Sequence, residues 1–377
     1  MDVDADQENA SRLVFILSEC IGQPGSHTPA SRWSSFTMMT AKRFSSMALG
    51  ISLLIPLGLV MANPTGNVYT ANERSASISQ VNLATGDVST VALPIAPHNL
   101  QVSPDGSLLL VVGVAGHAGH SSGEKPGGQL LVFSTSALDR PPFSFPAGDH
   151  PAHVITDVTG LRAFVTDSAA NRVRIFDLEQ RIELPGIPTG RYPHGLRLSP
   201  DGRTLYIANM KSDSVSLIDV VTLKETAQIP VGKGPVQVGF APDGRLAFVS
   251  LSATNQLGII DTARRKVIGK VDVGRTPIQM MATVDGRQVY VANQGSGQNP
   301  DDRVSIVDIQ TRSSLGTVTT GKGAHGVAIS SDGAYVFVSN IEAGTVSVID
   351  TSSRKVVATH KVGAGPNGIS FEPPSAQ

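Results

Sequence analysis

One unit recurs seven times along this chain, and no other feature of the sequence restricts its fold as tightly. The unit is plainest where PHGLRLSPDG (193–202) is followed by TLYIAN (204–209) and SVSLID (214–219). The residue closing the third segment is in turn Asn82, Ser134, Asp177, Asp219, Asp261, Asp308 and Asp350, at spacings of 52, 43, 42, 42, 47 and 42. A repeat of this length cannot bury its own apolar face and must pack on its neighbours, as in a solenoid or a propeller. Each copy holds four runs rich in Val, Ile, Leu and Tyr between Gly, Pro and Asp clusters, which predicts four strands, a to d. Pro-Asp-Gly at 104–106, 200–202 and 242–244, and Asp-Gly at 285–286 and 332–333, are predicted as a-to-b turns in which Gly supplies a positive φ. The Asp that ends strand c is expected to cap the following turn and is assigned no chemistry.

The ends of the repeat region predict how it closes. It begins on a b-type strand (NVYTAN, 67–72) and finishes on an a-type strand (PNGISF, 366–371), so the last strand completes the first blade. Such a latch removes the weakest edge of a ring of sheets. The predicted fold is all-β: a seven-bladed β-propeller of four-stranded antiparallel blades, forming one domain over residues 63–377. Charged residues at 16 %, with Gly 38 and Pro 24, suit short buried strands and tight turns and exclude a coiled coil.

The first 62 residues read differently. Met38 or Met39 resembles a true start, with Lys42 and Arg43 as a basic region, a 14-residue apolar run from Met47 to Val60, and Val60-Met61-Ala62 for cleavage. Residues 38–62 are therefore predicted to be a signal peptide, and the protein to be exported, periplasmic or secreted. The run falls short of the ~20 apolar residues of a membrane helix and carries Pro56, so no stable membrane anchor is expected. Residues 1–37 open on an acidic stretch (Asp2, Asp4, Asp6, Glu8) that no export signal carries, and are read as a mis-assigned upstream start or a disordered extension. The leader holds 4 of the 30 Lys and Arg and 5 of the 31 Asp and Glu, which leaves the remainder neutral, with no global field toward nucleic acid. The sole cysteine, Cys20, also lies in the leader, so no disulfide is expected and covalent c-type haem attachment through CxxCH is excluded.

Tyr290-Val-Ala-Asn293, Tyr206-Ile-Ala-Asn209, Phe337-Val-Ser-Asn340 and Tyr69-Thr-Ala-Asn72, each followed by a strand like Val-Ser-Val-Ile-Asp, resemble the YVTN family of β-propeller repeat proteins over roughly residues 64–373. The resemblance implies an exported or surface protein. It borders on propellers with lactonase, lyase or haem-d1 functions, so the site has to be argued from residues.

In a blade whose strands run a to d outward, the d-to-a and b-to-c connections share one face. Seven of the eight histidines beyond the leader fall on that face: His98, His150, His153, His194 and His325 in or after d-to-a connections, and His117 and His120 in a b-to-c loop. Eight residues before each turn glycine stand His98, Ala152, His194, Val236, Ile278 and His325, with Asn367 in the final strand. At the seventh position stand Asn99, His153, Gly195, Gln237, Gln279, Gly326 and Gly368. These polar groups are expected to ring the channel mouth. Adjacent strand residues point to opposite faces, so two subsets are expected, with His98, His194, His325 and Asn367 as the better matched. Arg191, Lys233, Arg275 and Lys322, eleven residues before the glycine, form an arc suited to an anion. The long insertions 113–128 and 294–303, the latter holding Asp301 and Asp302, lie on the same face.

From this pattern the expected function is an exported binding or scaffold protein whose His-rich face takes a small ligand, a metal ion or a protein partner. The candidate ligand-binding residues are His98, His153, His194, Gln237, Gln279, His325, Asn367, Arg191, Lys233, Arg275 and Lys322. Candidate ligands for a divalent copper, zinc or iron ion are His98, His194, His325, His117 and His120. The alternative is a lyase or lactone hydrolase with His194 as general acid/base. No Gly-x-Ser-x-Gly elbow, cysteine nucleophile or phosphate loop supports other chemistry. Single-stranded nucleic acid along the Arg191–Lys322 arc ranks third, given neutral charge and few aromatic platforms. A monomer is expected.

Overall fold

The structure, a computed structural model, describes residues 64–115 and 127–374. The predicted leader, with its start site and signal peptide, and the histidines His117 and His120 lie outside the described residues. Within them, seven four-stranded antiparallel sheets form the blades of a propeller. The closing strand Pro366–Glu372 pairs with Asn67–Asn72 and completes the first blade, as predicted. The innermost strands Ile95–Val102, Pro151–Thr156, Pro193–Leu198, Pro235–Phe240, Pro277–Ala282, Ala324–Ile329 and Pro366–Glu372 each pack on the next, and the last packs on the first. The ring is therefore closed. Among the described residues no helix is long and apolar enough to cross a membrane.

The motif residues explain themselves in this frame. Asn at the end of strand b is a staple: Asn209 Nδ2 donates to Ser214 Oγ and Ser216 Oγ at 3.1 and 2.8 Å, and Asn72 and Asn340 bind their own c strands in the same way. The c-terminal aspartates cap their turns, with Asp219 accepting from the backbone N–H of Val221 and Thr222, and Asp308 from that of Thr311. The a-to-b glycines Gly106, Gly202, Gly244, Gly286 and Gly333 all take φ between 69 and 77°. Core side chains fill the space between blades, as where Phe248, Leu257 and Ile259 of one meet Met280, Val289 and Val307 of the next. That packing of one sheet on its neighbour is the source of the ring's stability.

Every innermost strand departs from regular pairing at one or both of the positions singled out above. The register jumps between Pro151 and Val154, Pro193 and Leu196, Pro235 and Val238, Pro277 and Met280, and Ala324 and Val327, and more narrowly between Pro97 and Asn99. A bulge breaks the strict in-out alternation of a strand. The expected division into two subsets is corrected on this ground: residues from the seventh and eighth positions meet at the channel mouth.

Candidate functional site

Three imidazoles converge where the innermost strands begin. His98, His153 and His194 each bring a ring nitrogen within 4.8 Å of the other two. Their ring centroids lie 4.7 to 5.8 Å apart, and His98 Nε2 sits 3.3 Å from His194 Nε2. His325, expected in this set, stands apart from it, with Nδ1 donating to the Asn367 carbonyl at 3.0 Å, and His153 takes its place. The bulges bring this about, because they let a seventh-position residue share a point with eighth-position neighbours.

The surroundings fix proton positions. A carbonyl only accepts, so His194 Nδ1, 3.2 Å from the Val236 oxygen, carries the proton and its Nε2 keeps a free lone pair. Gln237 Oε1 accepts from the Val238 N–H, so its Nε2 donates to His153 Nδ1 at 3.3 Å and the His153 proton sits on Nε2, which is buried with no partner. Buried polar atoms without partners are rare in folded proteins, and this one belongs to a residue of the three-imidazole cluster. His98 Nδ1 is 3.1 Å from Asn367 Nδ2 and 3.5 Å from Glu73 Oε2, and Asn367 Nδ2 also donates to Glu73 at 2.6 Å. Burial pushes the Glu73 carboxyl up, but hydrogen bonds from His98 and Asn367 and the nearby imidazoles hold it down at about 2. Burial, with the neighbouring His98, lowers His194 to about 3 and His325 to about 4, and burial drives His153 well below the usual imidazole range. His153 and His194 are thus neutral, the protonation state that metal ligation requires, and His98 stands between them and one carboxylate.

Glu73 was not among the sequence candidates. It opens the b-to-c connection of the first blade, in the short 3₁₀ turn Glu73–Ser75. The signal for it lay in the repeat: Met210, Gln294 and Ile341 follow the strand-b Asn in other blades, and here the residue is a carboxylate.

The other candidates divide. Gln237 and Asn367 support the imidazoles, while Gln279 faces the axial cavity on the far side of them. Gly195 and Gly326 make room for neighbouring blades: a Cβ on Gly195 would overlap Gln237 Oε1, and one on Gly326 would come 2.8 Å from the Asn367 carbonyl oxygen. The basic arc is exposed but interrupted. Lys233 pairs with Asp213 at 2.6 Å and Arg275 lies 3.7 Å from Asp301, whereas Arg191 reaches the Lys211 carbonyl. Asp301 is buried and held by both Arg303 and Arg275, which is a structural ion pair rather than a cation loop. As a general acid, His194 at about 3 is far from neutrality, where proton transfer is least efficient.

Comparison with known proteins bears on the fold. The YNCE-like beta-propeller family matches residues 147–288, and the Cytochrome D1 heme domain family matches residues 246–366. Hydrazine synthase of Kuenenia stuttgartiensis superposes with a TM-score of 0.63 at 19 % identity, over 75 % of this chain and 91 % of that one. A protein of unknown function from Desulfotomaculum acetoxidans DSM 771 gives 0.66 at 17 %, over 82 % and 100 %. No curated protein matches the sequence. The stretch matched to the haem domain contains His325 and His360 but none of the three clustered imidazoles. Nor do those imidazoles fit a haem: their nitrogens face one another at a point, and a haem needs an imidazole aimed into an open slot. The seven counted repeats, the closed ring of seven blades and the YNCE-like match together fit a β-propeller repeat protein of the YVTN type.

Proposed function

We propose that this propeller is an exported metal-binding protein that holds one zinc ion on His98, His153 and His194 at the channel mouth. The observation that carries this is the convergence of three imidazoles, two of them buried and kept neutral by that burial and one of these with an orphaned Nε2. Zinc takes imidazole nitrogens at ~2.0–2.1 Å in a tetrahedral set, and three protein ligands leave a fourth position for water or another ligand. His194 presents Nε2 without rearrangement, because its proton is tied to the Val236 carbonyl. His98 does so when its proton moves to Nδ1, where Glu73 accepts it, an arrangement that orients a ligating imidazole and raises its basicity; His153 does so when its proton moves to Nδ1 and the Gln237 amide turns its oxygen to accept it. Export rests on the leader, and the exposed b-to-c and d-to-a connections around the site are the surface we assign to a protein partner.

Titration of chelator-treated protein with zinc, followed by calorimetry, tests the assignment. One ion per chain is expected for the wild type and for His325→Ala, and none at comparable affinity for His153→Ala or His194→Ala. A wild type that takes up no zinc, or four proteins that bind it alike, contradicts the proposal.

A further inference from the structure

Below the imidazoles the channel widens into a cavity of about 440 Å³ that the metal proposal leaves unused. Six of the seven innermost strands line it, and its rim is formed by residues at the a-to-b end, among them Ser103, Pro104, Ser331 and Pro373. It is thus reached from the face opposite the histidines. Its volume falls within the ~300–1,000 Å³ of small-molecule sites.

One charged group lines it, the guanidinium of Arg197, and no carboxylate does. Five residues before the turn glycine, where Arg197 stands, the other blades carry Gln101, Ile155, Gly239, Met281, Ala328 and Ser370. Gly239 has no side chain to block the neighbouring blade, and Arg197 reaches past that blade to Met281, its Nη2 lying 3.9 Å from the sulfur. Its Nε is buried with no partner, and no acid forms an ion pair with it among the described residues. In the same cavity Gln279, 2 % exposed, leaves Nε2 without a partner, and Gln101 leaves Oε1 so. A half-buried cation with a buried Nε left unpaired, beside an unpaired amide donor, is a costly arrangement, and its chemistry is complementary to an anion.

We infer that the axial cavity is a binding site for an apolar monocarboxylate, its carboxylate held by Arg197 and Gln279 and its body packed among Ile155, Met281, Ile329 and Phe371. A guanidinium fork matches the two oxygens of a carboxylate. A dianion such as sulfate finds a single cation here, since Arg197 is the one charged residue lining the cavity. The apolar wall selects for a hydrocarbon body over a free inorganic ion.

Calorimetric titration with hexanoate and benzoate, against hexanamide, benzamide and sulfate, tests this on wild-type protein, chelator-treated and zinc-loaded in parallel. Both carboxylates are expected to bind one per chain and at least about tenfold tighter than their amides, a ratio set by the charge-assisted hydrogen bonds. Arg197→Gln is expected to abolish that preference and keep zinc binding, and Met281→Trp, which fills the cavity without removing the cation, to block uptake. Carboxylates that fail to bind, amides that bind equally, or sulfate that displaces hexanoate at equal concentration each overturn the proposal. The carboxylate-to-amide comparison stands on the wild type alone, so it decides the matter even where a variant fails to fold.

Discussion

Acidification of the metal-free protein probes the imidazole cluster without any ligand. His194 and His325 are held at about 3 and about 4 in the fold, against ~6.5 in an unfolded chain. Because the folded values are depressed, the unfolded state binds more protons as pH falls below 6.5, and stability is lost from there down toward the folded values. Each such histidine contributes a slope of up to about 1.4 kcal/mol per pH unit. Between pH 8 and pH 5 that is about 2 kcal/mol for each of the two, or about 4 kcal/mol together. His153, pushed the same way, adds to the loss. Glu73, held at about 2, has the opposite window: its contribution is intact above its unfolded value near 4.5 and is lost only below it, so it does not confuse this interval. A domain is stable by only roughly 5–15 kcal/mol, so the loss is a large fraction of the whole. Urea unfolding of chelator-treated protein at half-unit pH steps measures it, with His194→Gln in parallel. The variant's drop from pH 8 to pH 5 is expected to be smaller by about 2 kcal/mol. A wild type whose stability is flat over that range, or a variant with an unchanged drop, refutes the assignment of buried neutral imidazoles.

Three further perturbations address the remaining links. Glu73→Gln keeps all three imidazoles but removes the acceptor for the His98 proton, and zinc affinity is expected to fall about 10- to 100-fold in a calorimetric titration. Asn209→Ala removes two buried hydrogen bonds between strands b and c of one blade, which is expected to lower stability by about 2 kcal/mol in urea unfolding. Truncation before Pro366 deletes the innermost strand of the first blade and reopens the ring, and is expected to abolish cooperative unfolding in calorimetry.

The fold was legible because its determinants are periodic. Turn glycines with positive φ, capping aspartates and strand-b asparagines recur at fixed offsets, and each does locally what its position in the repeat implies. The order of the terminal strands even revealed the latch between Pro366–Glu372 and Asn67–Asn72. The site was legible by face and not by partner. Its histidines were placed on the right strands, but the choice of His325 over His153 assumed regular alternation, which the bulge at Pro151/Val154 breaks. Glu73 and Arg197 escaped notice for a related reason: each is a single departure from its repeat position, and a search for recurring polar residues passes over what occurs once. Only when the blades are closed into a ring does Arg197 lie across from Met281 and Glu73 beside His98.

The central claim is that three imidazoles from neighbouring blades form one metal centre. X-ray absorption spectroscopy of the zinc-loaded protein, with zinc counted by elemental analysis after dialysis, tests it most directly. One zinc per chain with three imidazole nitrogens at ~2.0–2.1 Å is the expected result, and His153→Ala is expected to retain none. A shell made only of oxygen ligands, or zinc retained equally by wild type and variant, contradicts it.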